Sequence, residues 1–161
     1  MISAFLKIEG IPGESTIAGY EDQIEVLSFS HGVSQQANLA SSTAGGATTT
    51  RANHSDFTIM KYVDKSTPVL LQRCSAGLTI PKATLTLVRA AGDDMIPYMV
   101  YTIAPLLISA VSYSGSSDLP SESISFNYGK IEWVYTQQKR ADGGGGGNTT
   151  GSWNLQTGKA Q

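Results

Sequence analysis

The sequence has one cysteine, Cys74, so no disulfide can form within the chain. It has two histidines, His31 and His54, and with Cys74 they give no metal-ligand spacing. Charged residues make up 15% of the 161 positions, against roughly 25% in ordinary soluble domains. The net charge is −2, and the one basic pair, Lys139-Arg140, is too short for a patch. These features exclude the electrostatic footprint of a nucleic-acid binder. No apolar run approaches the length of a membrane span, so no membrane insertion is expected. The opening MISAFLKIEG lacks a basic region followed by a long apolar stretch, so no secretory signal is expected, and synthesis in the cytoplasm is. The glycine run Gly143–Gly147 is not followed by the Lys and Ser/Thr of a phosphate loop. No cofactor is expected.

Gly, Ser, Thr and Ala fill the space that charge leaves. The length suits one domain with a real core. So small a domain with so few charges is poorly dressed for water on every side. The expectation is that much of its surface is shared with copies of itself.

One helix is legible, at about residues 67–76. Ser66 is the expected N-cap, its hydroxyl taking a free amide of the first turn. Pro68 is tolerated there because first-turn amides have no partner within the helix. Leu70, Leu71 and Cys74 form an apolar stripe, and Gln72 and Ser75 lie away from it. Gly77 supplies the left-handed stop.

The rest reads as strands. Ala4–Glu9 alternates weakly, and Pro12-Gly13 suits the centre of a type II turn. Ile24–His31 reads as one strand, with Leu27 and Phe29 on the core face and Val26, Ser28 and Ser30 opposite. Residues 32–53 are almost wholly small and polar, predicting a long loop that is mobile in an isolated protomer. A loop of that length inside a compact domain is usually functional. Asp56–Tyr62 feeds the helix. Leu78–Ala90 alternates, Ala91–Asp94 turns, and Pro105 splits Pro97–Tyr113 into two strands or kinks one. In Ser123–Gln137 the core parity switches from Ile124, Phe126 and Tyr128 to Ile131, Trp133 and Tyr135. A β-bulge at Gly129 would explain the switch. After the flexible stretch 141–151, Ser152–Leu155 is expected to dock as a short edge strand with Trp153 buried.

The fold is therefore expected to be all-β and mainly antiparallel, a small barrel or two-sheet sandwich with one flanking helix. Several strands turn Ser, Thr and Asn away from the core. If those faces lie side by side, they make a broad, weakly charged, hydroxyl-rich wall.

Little in the chain points to catalysis. Cys74 reads as a small buried hydrophobe. Asp93 and Asp94 share a solvated turn. His31 has core parity and reads as structural, and His54 as a surface residue. Two alternatives stay open, a lectin-like β-sandwich binding module and a hydrolase using Cys74 or Asp93 with Asp94.

Three segments, FLKIEGIPGES, KYVDKSTPVLLQRCSAG and ESISFNYGKIEWVYTQQK, resemble the haemolysin-coregulated protein (Hcp) family in the same order. The central one is the most specific. The tail after Gln138 departs most from the family pattern. The resemblance implies a non-enzymatic tube protein of the type VI secretion system. Its protomers would form hexameric rings that stack, and a contractile sheath would expel the tube with a spike protein at its tip. The lumen would carry and stabilise effectors, with export through the apparatus itself. It implies a tube domain over residues 1–140, with residues 141–161 as a tail of the same domain. Val26, Ser28 and Ser30 would then face the lumen and its cargo. The loop, with Gln35, Ser42, Gly45, Thr49 and Arg51, would reach the next ring.

Overall fold

The computed structural model describes residues 3–38, 48–49, 51–116, 118–138 and 145–161. In chain order the strands are β1 (Ser3–Ile8), β2 (Ile24–Val26), β3 (Ser28–Ser30), β4 (Val33–Ser34), β5 (Ala37–Asn38), β6 (Thr48–Thr49), β7 (Asn53–His54) and β8 (Phe57–Tyr62). The helix α1 (Thr67–Ala76) follows, then β9 (Ala83–Ala91), β10 (Asp94–Ile103), β11 (Leu106–Ser114), β12 (Ser121–Tyr128), β13 (Lys130–Gln138) and β14 (Gly145–Asn154). All pairings are antiparallel. A six-stranded sheet has the order β14-β13-β10-β9-β1-β2, and a four-stranded sheet the order β11-β12-β8-β3.

Alternation builds the core. Leu6, Leu85 and Ile131 from one sheet face Ile59, Ile124 and Phe126 from the other, all nearly or wholly buried. Each such side chain contributes about 1.5–3 kcal/mol by leaving water.

Two continuous segments pass between the sheets and make its corners. The first bends at Leu27, whose N–H donates to Met60 O at 2.7 Å, so Ile24–His31 is two strands in two sheets. The second bends at Gly129, where β12 leaves the small sheet and β13 enters the large one. The switch of core parity there is thus a change of sheet, not a bulge. A Cβ on Gly129 would sit 3.3 Å from Pro105 Cδ. Among the described residues no ladder joins the two sheets into a closed barrel; the sandwich half of the expectation describes the fold.

Gly13 has a different reason from the expected turn. Its φ is not positive, but a Cβ would lie 2.4 Å from Gln23 O. Gly13 is needed for close backbone approach, sealed by its N–H donating to Asp22 O at 2.7 Å.

The helix starts at Thr67 as expected, yet the Ser66 side chain caps no amide. Its hydroxyl and its N–H both turn to Asp64 Oδ1, a stronger, charged acceptor. At the other end Gly77 has φ 62°. Gly77 N–H donates to Cys74 O and Leu78 N–H to Arg73 O, a Schellman stop. The helix lies against β11. Leu70 is buried, and Val69 and Cys74 are half-buried against the core.

The described residues between Gly32 and His54 are not the featureless loop expected: they form an arm with two short ladders, β4 with β7 and β5 with β6. The tail strand is longer than expected: β14 runs the length of β13 as an edge, with Trp153 opposite Ile131 and half-buried.

Candidate contact surface

The outward face of the small sheet is the feature most unlike an ordinary protein surface. Its register sets Ser28, Met60, Ser123 and Ser112 in one row across four strands. The next row is Ser30, Thr58, Ser125 and Ala110. Thr58 Oγ1 and Ser125 Oγ share a 2.9 Å hydrogen bond. Asp56, continuing the β8 alternation outward, brings a carboxylate to the rim. It accepts from Ser109 Oγ at 2.7 Å and from Asn127 Nδ2 at 3.1 Å. The expected hydroxyl faces therefore lie side by side, interrupted by Met60 and bounded by Ala110, and the carboxylate at the rim is tied to neutral donors.

Ser28 and Ser30 are exposed on this wall. Val26 is not: it is 5% exposed, in the core. The chain bends at Leu27, so positions 26 and 28 do not share a face, and Val26 is removed from the candidate surface.

Of the arm residues, Ser42 and Gly45 lie outside the described residues. Thr49 pairs with Ala37 in the outer ladder. Gln35 and Arg51 line a cleft of about 530 Å³ between the arm and the β13–β14 end of the large sheet. Val33, His54, Trp133, Trp153 and Leu155 line it as well. Arg51 Nη2 donates to Leu155 O at 2.8 Å, tethering the arm to the tail.

Sequence reasoning missed two clusters. The first is an ion network under α1. Lys61 Nζ pairs with Glu122 Oε1 and, at 2.8 Å, with Asp64 Oδ1. Thr67 Oγ1 donates to Glu122 Oε1 at 2.8 Å and accepts from Asp64 N. The signal was available: Lys61 shares the core parity of Phe57 and Ile59, and Glu122 that of Ile124 and Phe126. One charge of each sign on facing core positions reads as a buried pair. The second cluster gathers His31, His54, Phe57, Tyr128 and Trp133 at the root of the arm. Burial, and then the neighbouring His54, hold the His31 pKa below its ordinary value. Burial does the same to His54. The Tyr128 phenol is pushed up by burial and then by Asp56.

The candidate catalytic groups are not brought together. Cys74 is on α1, and the ring contacts of both histidines lie in the distant aromatic cluster. Asp93, in the β9–β10 turn, and Asp94, the first residue of β10, are both exposed. Among the described residues no three His, Cys, Asp or Glu side chains gather as a metal site. No described helix is long and apolar enough to cross a membrane.

Residues 5–135 match the family described as type VI secretion system effector, Hcp. The chain is 34% identical over 156 residues to Protein hcp1 of Pseudomonas aeruginosa, covering 96% of this chain and 95% of that one. A structure described as a type six secretion system protein superposes with TM-score 0.90 at 28% identity, covering all of both chains. Hcp1 from Salmonella typhimurium superposes with TM-score 0.81 at 28% identity, covering 99% of each. The central motif, the two-sheet fold and a match that runs nearly end to end agree, and the chain belongs to the Hcp family of type VI secretion proteins.

Proposed function

We propose that this chain is a structural subunit of a secretion tube and not an enzyme. Hexameric rings stack into a tube, with the hydroxyl wall of β3, β8, β12 and β11 facing the hole. The observation that carries this reading is the wall itself, with its rows of small hydroxyls and a tethered carboxylate at its rim. Such a face wets well and grips weakly, which suits proteins in transit. Ser28 and Ser30 are the cargo contacts. The sheath and spike drive the tube outward, and folded effectors ride within it, stabilised by enclosure.

Closure needs a heterologous interface, one patch of a protomer meeting a different patch of the next. The edge strands β2, β3, β11 and β14 offer unpaired backbone for it. Stacking uses a second heterologous interface, to which the arm contributes through Gln35, Thr49 and Arg51. Residues 1–140 form the tube domain, and the tail adds its edge strand to that same domain.

Negative-stain microscopy of the purified protein tests the reading. Rings with a central hole are expected; a monodisperse monomer at high concentration overturns it.

A further inference from the structure

The two histidines of the chain stand at the root of the arm, one on each side. His31 follows β3 and immediately precedes the first leg, and His54 ends the second leg opposite Val33. Ser55 closes the root. Its N–H donates to Gly32 O at 3.0 Å, and its hydroxyl accepts from Gly32 N–H at 2.8 Å.

The imidazoles are half-buried, with centroids 6.5 Å apart. His31 stacks on Phe57 at 5.3 Å, and its Nε2 lies 2.5 Å from the Tyr128 hydroxyl. The Tyr128 hydroxyl also lies 3.1 Å from Ser55 O, and the tautomer of His31 decides which of the two takes its single proton. His54 stacks on Trp133 at an interplanar angle of 23°. His54 Nδ1 is buried with no hydrogen-bond partner. A proton added there makes a buried N–H with no acceptor, beside a second imidazole.

The other groups around the pair do not offset that charge. From the arm comes Arg51, a cation. From the start of β8 comes Asp56, whose carboxylate acts on the Tyr128 phenol and is not among the causes that shift either imidazole. From β12 comes the Tyr128 phenol, which stays protonated. From β13 and the tail come Trp133, Trp153 and Leu155, none ionisable.

We propose that His31 and His54 form an acid-released latch, holding the root of the arm against Tyr128 and Trp133 while both are neutral. When both protonate, the like charges and the unpaired N–H favour the arm swinging clear. The latch stands on its own geometry. Only its consequence, weaker ring stacking in acid, rests on the stacking role of the arm.

Amide hydrogen exchange on the full chain tests it, corrected for intrinsic rate and compared at about pH 7.5 and about pH 5, a range spanning histidine titration. Ser55 is expected to lose far more protection in acid than Ile59 and Ile124 in the core, whose loss follows only the fall in overall stability. His54→Phe keeps an aromatic ring on Trp133 and should remove most of that loss. Unchanged Ser55 protection, or loss in step with the core, overturns the latch. Imidazole NMR titration of the unmutated chain gives a test that needs no variant. The two histidines should titrate together with the arm amides. Independent titration of either without any change in the arm also overturns the latch.

Discussion

Lys61 of β8 and Glu122 of β12 form an ion pair whose two side chains are both 0% exposed. Asp64 and Thr67 complete it from the N-terminal end of α1, so one network ties the helix to the small sheet. Lys61→Met leaves Glu122 charged and uncompensated in the core. The expected loss is about 3–5 kcal/mol of unfolding free energy. Lys61→Met with Glu122→Leu removes both charges and should recover much of it. Urea unfolding of both variants checks this; a double variant no better than the single one contradicts it.

Gly13→Ala places a methyl carbon against the Gln23 backbone, where no side chain can move aside. The expected cost is about 1–3 kcal/mol, typical of overpacking. Thermal unfolding reads it. An unchanged midpoint would mean that the segment before β2 sits differently.

The helix, its glycine stop and the split at Pro105 were legible because local chemistry decides them. Ser66 was misread because the cap sits two residues earlier: Asp64 Oδ1 accepts from Ser66 N–H, and Thr67 Oγ1 accepts from Asp64 N–H in return. Val26 and Gly129 were misread for a shared reason. Each lies at or beside a bend where the chain changes sheets, and alternation carries no mark of which sheet a strand joins. The hydroxyl wall could be suspected from three separate strands. That Ser28, Met60 and Ser123 stand in one row is a matter of register between distant segments. The arm reads as a loop in the sequence because its ladders are two residues long, too short for periodicity.

Stability should depend on pH in a definite direction. Burial lowers the pKa of His31 and of His54, so in the window below the ordinary histidine value of about 6.5 the unfolded chain binds more protons. Their contribution is fully present above that value and is lost as pH falls through the folded values. Urea midpoints should hold steady from about pH 8 to about pH 7 and then fall toward about pH 5. His31→Phe with His54→Phe should flatten that fall; equal slopes for both proteins would contradict it.

Deleting residues 36–50 and bridging the legs with a short Gly-Ser turn should spare rings and weaken tubes. Sedimentation and microscopy at matched concentration separate the two. Tubes formed equally well without the segment would end its stacking role.

Ser30→Tyr puts a large ring on the wall without touching the core. Recovery of an effector that co-purifies with the rings should fall while the rings persist. Undiminished recovery would move the cargo contact elsewhere.

The most direct test of the central claim is thiol access to the wall in assembled protein. In a Cys74→Ala background, Ser123→Cys places a thiol on the wall and Ser75→Cys places one on the outer side of α1. A small maleimide should label both. A polymer-bearing maleimide too wide for the hole should label Ser75→Cys fully and leave Ser123→Cys protected until the rings are dissociated. Full labelling of Ser123→Cys by the wide reagent in intact rings would contradict a wall that lines the lumen.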